Sequence, residues 1–184
     1  IRMAGYRGCT NETLNITNAM EGAIDNTKNI GAFMTTVGIE GFNGTTDYPV
    51  AYKQDVSAGT DSIMIRRGDY ENEHFVSTHM RLTNTFTVAE TPDFKKGTPV
   101  MVSHQNCRSV GLFQATDVQG KNIFHAATDG NCTNFLGGGF DCNDCPSKSC
   151  NTSPKETTYS TGPRLIKNIA TAYLSLTKIL RCRR

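Results

Sequence analysis

No tryptophan occurs among the 184 residues, and aromatic side chains of all kinds make up 8% of them. No apolar run approaches the roughly eighteen residues that a bilayer-crossing helix needs, so this stretch contains no helical membrane span. Strong charge of either sign is also missing. Nineteen Lys and Arg against 17 Asp and Glu leave a net charge of +2, and the basic residues cluster only in "RCRR" at the end. A nucleic-acid partner is therefore not expected. The sequence has no G-x-S-x-G, no H-E-x-x-H and no P-loop. "GGGF" at 137–140 lacks the Lys and Ser or Thr that would hold a phosphate, and reads as a plain loop. No fixed-period repeat and no linker composition divides the chain. The expectation is one domain over 1–184, with no enzymatic activity, no cofactor and no metal.

What is present is glycine (17 residues), many Asn and Thr, and 7 Cys. A chain of this length buries roughly 70% of its unfolded surface, enough for a real core. The composition suits β-strands joined by many turns. Residues 10–55 are polar and loop-rich, with a short helical turn predicted at "AMEGAI" and a strand at "IGAFMTTVGI". Strands are predicted in "DSIMIRRGD", a compact apolar run, and in "TNTFTVAE". The latter alternates Thr85, Thr87 and Ala89 against Phe86 and Val88. After the turn signal "TPDFKKG", the runs "TPVMVSH", "SVGLFQATDV" and "QGKNIFHAAT" predict an antiparallel meander. Pro99 stands at the start of its run, where a missing N–H is tolerated. Together 59–128 make an antiparallel β core. Residues 129–163 hold little but Gly, Asn, Ser, Cys and Pro, and read as a long loop that cannot build a core. In "RLIKNIATAYLSLTKIL", Leu165, Ile169, Tyr173, Leu176 and Leu180 share a helical stripe, but the second half is read as a strand.

Four cysteines, Cys132, Cys142, Cys145 and Cys150, fall in that loop. Zinc would need four thiolates in tetrahedral placement, and two C-x-x-C pairs would signal it; here there is one. Disulfides in an oxidising compartment are the favoured reading, since crosslinks can hold a segment with little apolar surface to bury. Their connectivity is open, because four Cys allow three pairings. Cys9 and Cys107 are available for a long-range pair, which leaves Cys182 unpaired or joined to a partner outside the sequence.

The "SHQNC" stretch raises a Cys–His nucleophile, but a structural disulfide at Cys107 and a surface His104 are the simpler account. His74, His79, His104 and His125 show no metal-ligand spacing on a shared face, and Glu71 and Glu73 beside His74 read as a solvated turn. The sequons "NET", "NIT", "NGT", "NCT" and "NTS" arise readily in a chain rich in Asn and Thr, and do not establish a eukaryotic secretory origin.

Three stretches in order carry a family resemblance. "IRMAGYRGC" resembles the R-x-A-G-y-x-G-C that closes the long N-terminal helix of PilW-type minor pilins of bacterial type IV pili. "GTDSIMIRRGD" resembles the family's G-s-D-x-l-x-v-r strand. "FKKGTPVMVSHQNCRSVGLFQAT" resembles its next block, and "KNIFHAA" the strand after that, with its recurrent His at His125. The similarity covers residues 1–9 and about 59–127. Thr98 stands where an Asp is usual, and "SHQNC" replaces a shorter s-D-C.

The resemblance implies a mainly β, α+β pilin-like head of antiparallel sheet. Residues 1–8 would be the end of a truncated helix that Gly5 and Gly8 terminate, and the Cys-rich loop an insertion. It implies an apolar helix ahead of Ile1, cleaved from a basic leader, and a Tyr-Tyr-Ile-like strand beyond Arg184. It further implies anchorage in the inner membrane facing the periplasm, then a place at or near the tip of the extracellular pilus. The partners implied are other minor pilins (PilV, PilX, FimU and PilE types), the major pilin and a tip adhesin. The role would be priming of pilus assembly, in support of twitching motility, adhesion or DNA uptake. Two alternatives stand beside it: a J-type minor pseudopilin of type II secretion, and a secreted, disulfide-rich adhesin or lectin-like module without the pilin helix.

Overall fold

A computed structural model describes residues 15–20, 39–42, 60–104, 109–137, 142, 159 and 164–175. Strands dominate these residues and there is almost no helix. The fold is mainly β, and every strand pairing given below is antiparallel except one. The expected helix end at residues 1–8 lies outside the described residues, as do Cys9, Cys107, Cys145, Cys150 and Cys182. Nine strands are present among the described residues: β1 (Asn15–Asn18), β2 (Ile39–Phe42), β3 (Ser62–Met80), β4 (Thr85–Val88), β5 (Pro99–Ser103), β6 (Ser109–Gln114), β7 (Asp117–Gln119), β8 (Asn122–Phe124) and β9 (Arg164–Ser175). By contacts the chain divides into two compact units. One comprises Ile1–Tyr6, Gly22–Arg67 and Ala170–Arg184; the other comprises Arg7–Glu21 and Gly68–Ile169.

In the first unit, β2 runs antiparallel to the start of β3, with Ile39 opposite Ile65 and Phe42 opposite Ser62. Met64 and Ile65 are buried there. The predicted strand in "DSIMIRRGD" is thus present. The short strand expected over 30–39 is described only at Ile39, where β2 begins.

The second unit holds the core. The runs "PVMVS" and "SVGLFQ" are buried on both faces for most of their length. Continuous apolar runs of this kind belong to inner strands. β5 lies between β6 and β9, with Val102 opposite Gly111 on one side and Ile166 on the other. β6 in turn takes β1 in parallel, Ile16 opposite Val110. β4 runs between the end of β3 and β8, and β8 pairs with β7. A shared interior of Val76, Phe86, Val88, Phe94, Val100, Val102, Phe113, Ala115, Ile123, Leu136 and Tyr159 fills this unit.

Several expectations change here. The meander is broken: β6 pairs with β5 and β1, whereas β7 and β8 form a hairpin added to β4. "SVGLFQATDV" is therefore two strands, because the chain leaves the first ladder at Ala115 and Thr116. Glu71, Glu73 and His74 lie within β3, not in a turn. Residues 164–175 are strand from their first residue, so the helical stripe is not used there. Ala19 and Met20 continue the edge of β1, Ala19 N–H donating to Leu112 O at 2.8 Å, and do not begin a helix. The 129–163 segment does contribute to the core, through Leu136 and Tyr159, both buried.

Candidate functional site

The most distinctive chemistry gathers at one end of the β3–β4–β8 ladder, within the second unit. Its position depends on a break in strand register. Val76 faces Val88, then Thr78 faces Thr87, so Ser77 is an extra residue on β3. A bulge of this kind resets the alternation of faces. Val76 and His79, an odd number apart, both point inward as a result, and both are buried.

His79 lies opposite Phe86 on β4, the two rings stacked with centroids 4.1 Å apart. His125 follows β8, and its ring comes to 4.9 Å from Phe86 and 5.5 Å from Phe113. The imidazoles meet Nε2 to Nε2 at 3.1 Å. Tyr159 closes the cage at 5.8 Å from His79 and 5.9 Å from Phe86, its hydroxyl donating to Leu136 O at 2.7 Å. The His104 ring also lies 5.9 Å from that of Tyr159, and is half-buried instead of lying on the surface.

An Nε2–Nε2 hydrogen bond requires one ring to donate and the other to accept. The carbonyls of His125 itself and of Asn134 favour a proton on the His125 ring, though neither completes a hydrogen bond to its Nδ1. The Nδ1 of each ring is buried without a partner, so either ring can be the donor to the other's Nε2. Burial holds His79 down from the usual 6.5 to about 4, with Arg81 adding to the effect. Burial, followed by His79, pushes His125 down to about 3. Both rings are neutral near pH 7, and at 6% and 1% exposure an external substrate has no access to them in this arrangement.

Above the pair is the β3–β4 turn. Asn84 N–H donates to Arg81 O at 3.2 Å, and Asn84 adopts a left-handed φ of 50°, which Asn tolerates better than most residues. The turn is tied on two sides. His125 N–H donates to Asn84 O at 2.9 Å, and Asn134 Nδ2 donates to Asn84 Oδ1 at 2.8 Å. Arg81, Leu82, Asn134 and Phe135 line a surface hollow of about 300 Å³. Leu82 is fully exposed and Met80 about half-exposed (48%), so the tip presents apolar side chains to solvent beside a guanidinium.

Of the cysteines singled out from sequence, Cys132 and Cys142 form a disulfide, with Cα atoms 5.9 Å apart and both residues buried. His79 and His125, whose spacing in sequence gives no sign of it, are brought together by the fold from 46 residues apart. His74 remains separate, edge-on to Phe94 at 5.7 Å, with both ring nitrogens buried and unpartnered. Among the described residues, no three His, Cys, Asp or Glu converge closely enough to hold a metal ion. Asn131 of the "NCT" sequon is buried and fully engaged. It accepts from Gln114 N–H at 2.8 Å and donates to Gln114 O at 2.8 Å and Ala126 O at 3.2 Å. Compared with known protein families, curated proteins and solved structures, the chain matches none.

Proposed function

We propose that this chain is the β-rich head of a PilW-type minor pilin, which helps to prime type IV pilus assembly and sits at or near the pilus tip. The observation that carries the reading is the order of the sequence blocks and where they fall. "DSIMIRRGD" begins β3, "PVMVS" and "SVGLFQ" form the β5–β6 hairpin, and "NIF" is β8. His125, the recurrent His of the last block, is a buried core residue. Three of the blocks on which the resemblance rests thus coincide with the start of β3, with β5 and β6, and with β8, while the first, residues 1–9, lies outside the described residues.

Such a subunit works by contact: a shared bundle of apolar helices would hold it among its neighbours, and surfaces on the head would select them. The exposed tip with Met80, Leu82 and the adjoining hollow is the apolar surface best suited to that contact. A disulfide suits a head that must stay folded outside the cell. Before assembly the subunit would stand in the inner membrane, facing the periplasm. Partners would be other minor pilins (PilV, PilX, FimU and PilE types), the major pilin and a tip adhesin.

Deleting the gene should abolish or sharply reduce surface pili while the major pilin still accumulates in the membrane, as scored by electron microscopy and immunoblotting. Normal piliation with defective type II secretion would shift the assignment to a J-type pseudopilin. The coding sequence ahead of Ile1 gives a second check. About twenty apolar residues with a Glu near their start support the pilin, whereas a signal peptide with an A-x-A site points to a secreted binding module.

A further inference from the structure

The imidazole pair and the surface hollow are joined by a short hydrogen-bonded path. His125 holds Asn84 through its main-chain N–H, Asn84 holds the Asn134 amide, and Arg81 and Leu82 lie on the same turn. The path runs through the His125 main chain, and His79 lies two residues before Arg81 on the same strand and turn, so a shift of either residue bears on the rim of the hollow. The surroundings of the pair are suited to neutral rings only. Phe86 faces it from β4 and Phe113 from β6. The Tyr159 phenol has its hydroxyl committed to Leu136 O, and the His104 ring lies 5.9 Å from that of Tyr159. Arg81 is the charged group acting on His79, and it is cationic. Among the described residues, no carboxylate is among the groups acting on either ring.

We propose that the His79–His125 pair is an acid-sensitive latch on the β3–β4 tip. With both imidazoles neutral it holds the Arg81–Asn84 turn against the 131–136 segment. A proton taken from water onto the His79 ring makes an imidazolium that leaves the aromatic cage and frees the rim of the hollow. His79 is the ring that moves, since it is the less buried of the two and lies two residues from the exposed tip. The closed form binds fewer protons than the open one, so closure is at full strength above the ordinary imidazole value of 6.5. It weakens as pH falls from there through about 4, where the His79 ring itself takes up a proton.

The test is an NMR titration of the isotopically labelled chain from about pH 7 to about 3. The His79 ring should titrate near 4. The Asn84 and His125 amides and the Asn134 side-chain amide should shift with that same midpoint, while Val100 and Leu112 amides in the β5–β6 hairpin stay put. His79→Phe, which keeps a ring stacked on Phe86 but removes the proton site, should abolish the acid response at Asn84 and Asn134. If that variant does not fold, the titration of the unaltered chain decides alone. A His79 midpoint near the solvent value, Asn84 signals that stay constant throughout, or all amides moving together as in global unfolding would each overturn the latch.

Discussion

At the scale of single residues, the 131–136 segment behaves like part of the sheet without being a strand. Asn131 imitates a ladder partner: its amide both accepts from and donates to the main chain of Gln114, and reaches Ala126 as well. Replacing it with Leu removes three hydrogen bonds and takes the side-chain partner from the N–H and the carbonyl of Gln114, while Ala126 O keeps its bond from Thr128 N–H. A net cost of about 2–3 kcal/mol is expected, read as a lower denaturant midpoint with an unchanged slope. An unchanged midpoint would show that water replaces the amide there. None of this is legible in "NCTN". The tripeptide has the form of a glycosylation acceptor, and only burial shows that its side chain is occupied. Tyr159 was concealed in the same way. A lone aromatic in "KETTYSTG" has no neighbours in sequence to mark it as core, yet it is fully buried against Leu136 and the imidazole cage.

At the scale of elements, local chemistry fixed the turns and tertiary packing fixed the faces. The β7–β8 hairpin has Gln119 opposite Asn122, leaving Gly120 and Lys121 as its loop. Gly120, with φ 57°, takes the first central position, where a two-residue hairpin of the II′ kind calls for glycine. That much follows from "QGKN". The requirement for glycine at position 111 does not. It lies mid-strand on β6, where glycine ordinarily weakens a sheet. A Cβ there would come to 3.0 Å from Leu136 Cβ, 3.2 Å from Val102 Cγ1 and 3.3 Å from the Tyr159 hydroxyl oxygen. Gly111→Ala is therefore expected to destabilise by about 1–3 kcal/mol through overpacking, measured by thermal or denaturant unfolding. Equal or greater stability would mean that Leu136 can retreat. The bulge at Ser77 belongs to the same class of feature. "EHFVSTHM" carries no signal that one residue drops out of pairing, and without that shift His79 would face away from the core.

At the scale of the whole molecule, composition anticipated crosslinking in the Cys-rich stretch but not its partners. Cys132 and Cys142 are ten residues apart, and their bond closes a loop that starts within the stretch carrying Asn131, Asn134 and Leu136. Closing so short a loop is worth roughly 3 kcal/mol on the chain-entropy account. Cys142→Ser should lower unfolding stability by about that amount and speed proteolysis after residue 137. Equal stability and equal cleavage of the two forms would show that the segment is held by packing alone. Three stability determinants, the disulfide, Asn131 and the imidazole pair, thus converge on one short region. Substitutions there are not expected to be additive, since they act on neighbouring residues of one short segment.

Alternation and apolar runs in the sequence by themselves determined the β class and placed most of the strands. These are local signals, set by the two-residue period of a strand and by the residues that turns demand. Only the tertiary structure decided which strands became neighbours, that residues 159 and 136 belong to the interior, that Cys132 joins Cys142, and that two imidazoles 46 residues apart share a hydrogen bond. The physical reason is the same in each case. Pairing across a sheet and close packing depend on surfaces supplied by distant parts of the chain, and a single shifted register, as at Ser77, changes every face beyond it.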